Sequence, residues 1–125
     1  MAKILVVDDD PDVLEAGRLV LEREGYEIAT ASTRVEGMTR VEEFKPDLLI
    51  LDVMMEEPDD GLVMARDLRR QGHSFPIMML TSAATATGFE FASDEEVVPV
   101  DEFQPKPIDP TTFVAKVGKL LSIRR

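Results

Sequence analysis

Four short places in this chain hold residue types that could do chemistry together. Asp8, Asp9 and Asp10 follow the apolar run Ile4-Leu5-Val6-Val7, and Asp52 ends the run Asp47-Leu48-Leu49-Ile50-Leu51. Thr81 and Ser82 follow Ile77-Met78-Met79-Leu80, and Lys106 stands in Gln104-Pro105-Lys106-Pro107. Short apolar runs bounded by turn signals read as strands buried on both faces, and in a parallel α/β sheet ligands bind just beyond the carboxyl ends of such strands. Side by side, these strands would gather carboxylates, a hydroxyl and an amine in one crevice. Like charges a few ångströms apart force protonation or demand a cation. Mg²⁺, which takes about six oxygen ligands and keeps several waters, meets that demand and leaves positions for phosphoryl oxygens. Phosphoryl transfer asks a protein mainly for placement and charge neutralisation. An aspartate nucleophile at 52, a metal, Lys106 and the Thr81 hydroxyl are the parts for it.

The rest of the sequence reads as the frame that brings these residues together. Asp10-Pro11 is a helix cap followed by proline at the first helical position. Val13, Leu14, Gly17, Val20 and Leu21 then recur at helical spacing until Gly25. Tyr26-Glu27-Ile28-Ala29-Thr30 alternates as an edge strand does. Thr33 caps a second helix with an expected apolar side of Val35, Met38, Val41 and Phe44, closed by Lys45-Pro46. Asp60-Gly61 starts a third helix, with Leu62, Ala65 and Leu68 inward and a stop near Gly72. A short fourth helix is expected within 83–96. Val97-Val98-Pro99-Val100 leads to a fifth strand ending around Phe103, and Asp109-Pro110 opens a last helix lined by Phe113, Val117, Leu120 and Leu121.

Strand and helix alternate throughout, without a repeat or linker, so one α/β domain over 1–125 is expected. Right-handed crossovers make the parallel order 2-1-3-4-5 the economical one, with helices on both faces and a switch point between strands 1 and 3. Twenty-five acidic against fourteen basic residues give a net charge of -11, the wrong sign for holding a phosphate backbone. Direct nucleic-acid binding is therefore not expected. Cysteine is absent, which removes disulfides and thiolate metal sites. Without a run long enough to span a bilayer, no membrane insertion is expected, and a cytoplasmic location is the default.

Val6-Val7-Asp8-Asp9, Leu49-Ile50-Leu51-Asp52-Val53-Met54-Met55, Met79-Leu80-Thr81-Ser82 and Lys106-Pro107 together resemble the motifs of the receiver domain of two-component response regulators, a flavodoxin-like (α/β)5 fold. The resemblance runs over essentially the whole chain. It implies phosphoryl acceptance by Asp52 from a phosphohistidine on a sensor histidine kinase or a phosphotransfer protein. It also implies Mg²⁺ held by Asp8, Asp9, Asp52 and the backbone carbonyl of Met54. Thr81 and Phe103 would be the switch pair acting on a downstream protein target. Lys106 would contact the phosphoryl group, its bond to Pro107 being cis in the family.

Several features depart from that pattern. Glu56 stands where most receivers have proline, and Gly61 comes nine residues after the acceptor instead of eight. The loop between them is rich in acid, and the interval from Thr81 to Lys106 is about three residues longer than is common in the family. Met54 and Ala83, both apolar, cannot orient an attacking water, so spontaneous loss of phosphate should be slow. Asp10 reads as a cap more than a metal ligand, and His73 as a surface turn residue. Two rival readings are an aspartate-nucleophile phosphohydrolase using Asp8 and Asp10, and a receiver fold acting without phosphorylation. If the fold consumes the whole chain, output lies with a partner protein or a domain outside it.

Overall fold

A computed structural model of the chain describes residues 2–53, 55, 60–81, 100–106 and 108–123. Five parallel strands form one sheet: β1 (Lys3–Val7), β2 (Glu27–Ala31), β3 (Leu48–Asp52), β4 (Ile77–Thr81) and β5 (Glu102–Pro105). Their order is β2-β1-β3-β4-β5, as expected. Leu5 lies opposite Leu49, and Asp52 opposite Leu80. Four helices are described: α1 (Pro11–Arg23), α2 (Arg34–Phe44), α3 (Asp60–Arg70) and α4 (Pro110–Ile123). The helix expected within 83–96 lies outside the described residues.

Strand alternation divides the apolar side chains between two cores. Leu5, Val7, Leu49, Leu51, Ile77 and Met79 turn toward α2 and α3, meeting Val41, Met64, Ala65 and Leu68. Ile4, Val6, Leu48, Ile50, Met78 and Leu80 turn the other way, toward Leu21 of α1 and Phe113, Val117 and Leu120 of α4. The middle strands are thus apolar on both sides, which is why they read as continuous runs.

The helix ends follow the local chemistry. Asp10 accepts a hydrogen bond from the Asp12 N–H at 2.9 Å, and Gly25 takes φ +92° just past α1. The Thr33 hydroxyl accepts from the Glu36 N–H at 3.0 Å, while the Glu36 carboxylate accepts from the Ser32 N–H at 2.7 Å. Asp109 accepts from the Thr112 hydroxyl and N–H, which together lower its pKa.

Two sequence expectations are corrected. Val35 does not face the core but is 74% exposed, and Gly37 and Val41 are the buried residues of α2. Steps of three residues fall about 60° short of a full turn each time, so Val35 lies about 120° from Val41. The fifth strand follows Val100 as expected but runs from Glu102 to Pro105, ending two residues beyond Phe103. Asp101 fixes that start: its N–H donates to the Ile77 carbonyl at 2.9 Å and its carboxylate accepts from the Ile77 N–H at 2.9 Å.

Candidate functional site

The sheet order places the ends of β1 and β3 next to each other, and that adjacency assembles the site. Asp8 is fully buried and Asp52 is 4% exposed, whereas Asp9 is exposed at the rim. One carboxylate oxygen from each of the three lies within 4.8 Å of the others. The Asp10 N–H donates to Asp8 Oδ1 at 2.9 Å, which fixes the orientation of that carboxylate. Asp10 itself stays outside the cluster and caps α1.

Lys106 enters from the end of β5. Its Nζ stands 2.9 Å from Asp8 Oδ2 and 3.1 Å from Asp52 Oδ1, so one ammonium bridges two carboxylates from distant parts of the chain. Burial pulls the Lys106 pKa down, but the hydrogen bond and charge of Asp8, followed by the charge of Asp52, outweigh it and leave the pKa raised. Lys106 is positioned by its own backbone, whose N–H donates to the Thr81 carbonyl at 2.7 Å. Thr81 is 1% exposed, and its hydroxyl has no hydrogen-bond partner among the described residues. A buried hydroxyl without a partner costs about 1–3 kcal/mol, so this one is held ready for an acceptor.

The donor set fits a hard divalent cation. Three carboxylates share one strand-end crevice with the Lys106 ammonium, and every donor they offer is oxygen. Of the residues expected there, Asp8, Asp9, Asp52, Thr81 and Lys106 converge. The Met54 carbonyl and the Lys106–Pro107 bond lie outside the described residues. Phe103 lies opposite Met79, one alternation before Thr81 on the same sheet face, packed against the core beneath α2 and α3.

Two contributors were not anticipated. Gly61 presses its backbone on the end of β3: its N–H donates to the Val53 carbonyl at 2.8 Å, and a Cβ there would collide with the Asp52 carbonyl oxygen and come within 2.8 Å of Val53 Cα. The additional loop residue therefore leaves this contact in place. Asp60, 5% exposed at the start of α3, pairs with Arg34 Nε at 3.3 Å, tying the close of the acidic loop to α2. Such a long-range pair has no periodic signature in the sequence.

The sequence profile of the response regulator receiver domain matches residues 4–118. This chain belongs to that family. It is 38% identical over 126 residues to the alkaline phosphatase synthesis transcriptional regulatory protein PhoP of Bacillus subtilis, covering 95% of this chain and 48% of that protein. Against the response regulator MprA of Mycobacterium leprae it is 36% identical, covering 95% and 50%. This receiver domain thus spans about half the length of the curated relatives it matches. Among solved structures, a response regulator from Chloroflexus aurantiacus superposes with a TM-score of 0.80 at 31% identity, covering 97% of this chain and 98% of that one. The chemotaxis protein CheY4 of Vibrio cholerae gives 0.79 at 26% identity, covering 96% and 98%. The fold is therefore the CheY-like, flavodoxin-type arrangement, and the chain is a receiver domain of two-component systems, whose family typically is phosphorylated and binds Mg²⁺. None of its described helices is long and apolar enough to cross a membrane.

Proposed function

We propose that this receiver accepts a phosphoryl group on Asp52 from a phosphohistidine of a sensor histidine kinase or a histidine phosphotransfer protein, and thereby changes its affinity for a downstream protein. The observation that carries this reading is the Lys106 ammonium bridging Asp8 and Asp52. An Asp52 oxygen attacks phosphorus, the bond from phosphorus to the imidazole nitrogen breaks, and the electron pair leaves with the imidazole. Lys106 turns its charge to the incoming phosphoryl oxygens, and the Thr81 hydroxyl donates its unused hydrogen bond to one of them. Asp8, Asp9 and Asp52 would hold Mg²⁺, with the Met54 carbonyl as a further ligand. That ion supplies charge neutralisation for the transferred group.

Thr81 and Phe103 form the switch in this reading. As Thr81 moves toward the phosphoryl oxygens, the aromatic ring shifts into the space it leaves, and without a hydroxyl the ring is driven by packing alone. Output passes to a protein partner; the domain itself is a phosphoacceptor that turns over no external substrate. The phosphohydrolase alternative is not favoured, because Asp10, its second carboxylate, is engaged as a helix cap.

Incubation with Mg²⁺ and acetyl phosphate, followed by intact mass, tests the proposal. The expected result is one added phosphoryl group that Asp52→Asn does not acquire. An unmodified wild-type protein that still binds its partner would instead support a phosphorylation-independent module.

A further inference from the structure

Among the described residues β5 is an outer strand, hydrogen-bonded only to β4. The Lys106 N–H donates to the Thr81 carbonyl at 2.7 Å, and along a parallel ladder alternate residues turn their main-chain groups to the same side. Positions 104 and 106 therefore face β4, and 103 and 105 face outward. At those outward positions the groups an added strand would need are already engaged or missing. The Phe103 N–H donates to Glu102 Oε1 at 3.0 Å, and the Phe103 carbonyl accepts from Lys116 Nζ at 2.7 Å. Pro105 has no N–H, and its carbonyl accepts from Gln104 Nε2 at 3.4 Å. Lys116 also lies 3.9 Å from Glu102, so the two charges support each other over the strand. Lys116 belongs to α4, which makes the cover a tertiary feature.

We propose that Glu102, Lys116 and Pro105 close the β5 edge against strand addition, whether by a second copy of this chain or by an extended peptide. An open edge is a template for pairing. The closure differs from the opposite edge: among the described residues no side chain bonds to the main chain of Ile28 or Thr30, the outward positions of β2.

Amide hydrogen exchange and sedimentation velocity test it. In Glu102→Ala the Phe103 amide should exchange about tenfold faster or more, as loss of a hydrogen bond to a charged group predicts. The Lys106 amide, bonded to β4, should be unchanged. In the triple variant Glu102→Ala/Lys116→Ala/Pro105→Ala, with the edge groups uncovered and an N–H restored, self-association should rise with concentration above that of wild type. Unchanged Phe103 exchange in a folded Glu102→Ala protein would overturn the proposal, as would a folded triple variant that associates no more than wild type. If the triple variant does not fold, the Glu102→Ala exchange measurement decides alone.

Discussion

At the residue scale, the decisive object is a lysine shared by two acids. Its raised pKa has a definite pH signature. A group whose pKa is higher folded than unfolded adds stability that is fully present below the unfolded value and is lost as pH rises through the folded one. Lys106 should therefore add stability up to about pH 10.5 and lose it above that value. Urea denaturation across that range should show wild type falling more steeply than Lys106→Met, the difference between the two removing the contribution of other lysines and tyrosine. A second residue-scale expectation concerns lifetime. With Met54 and Ala83 unable to position water, the phosphorylated protein should survive for minutes or longer without a phosphatase, as followed by intact mass over time. Decay within seconds would show that another group directs the water. The carboxylates and the lysine were readable in advance because each follows a strand or a Lys-Pro pair. Arg34, Glu102 and Lys116 were not, since their partners come from elements that only the folded chain brings near.

At the element scale, the helices differ in how closely they obey the pattern of their sequence. Leu21 of α1 and Phe113, Val117 and Leu120 of α4 occupy the core positions their spacing implies. Val35 does not, because an unbroken three-residue step drifts around the helix until its far end reaches solvent. β5 follows Val100 as its sequence implies but runs two residues past Phe103, because it is short, half polar and ends in proline, which leaves its end without an apolar signal. Two substitutions check this view of α2. Val35→Glu should change stability by less than about 0.5 kcal/mol, whereas Val41→Ala should cost about 2 kcal/mol, both read from urea midpoints. The end of α2 offers a third test. Lys45 holds φ +53°, a left-handed conformation that costs a side-chain-bearing residue about 1 kcal/mol. Lys45→Gly should therefore stabilise the protein modestly, by up to about 1 kcal/mol.

At the scale of the whole molecule, the order β2-β1-β3-β4-β5 does two things at once. It buries the middle strands on both faces, and it sets β1 and β3 side by side so that their terminal acids meet. A net charge of -11 over 125 residues adds general repulsion to this local concentration of negative charge. A divalent cation that binds only the folded chain adds RT ln(1 + [L]/Kd), about 2.7 kcal/mol at a hundredfold excess over Kd. Millimolar MgCl₂ should accordingly raise the thermal midpoint beyond what NaCl of equal ionic strength achieves, and Asp8→Asn should remove the difference. An equal shift from both salts would reduce the crevice to ordinary charge screening.

The bridge from Lys106 to Asp8 joins a residue near the beginning of the chain to one shortly before its last helix. During synthesis the two acids at 8 and 52 exist long before the amine that will stand between them. A nascent or truncated polypeptide ending before β5 thus carries the acids at 8 and 52 without the ammonium that bridges them. The bridged crevice therefore exists only once β5 has joined the sheet, which makes this pairing of charges a marker of the folded domain.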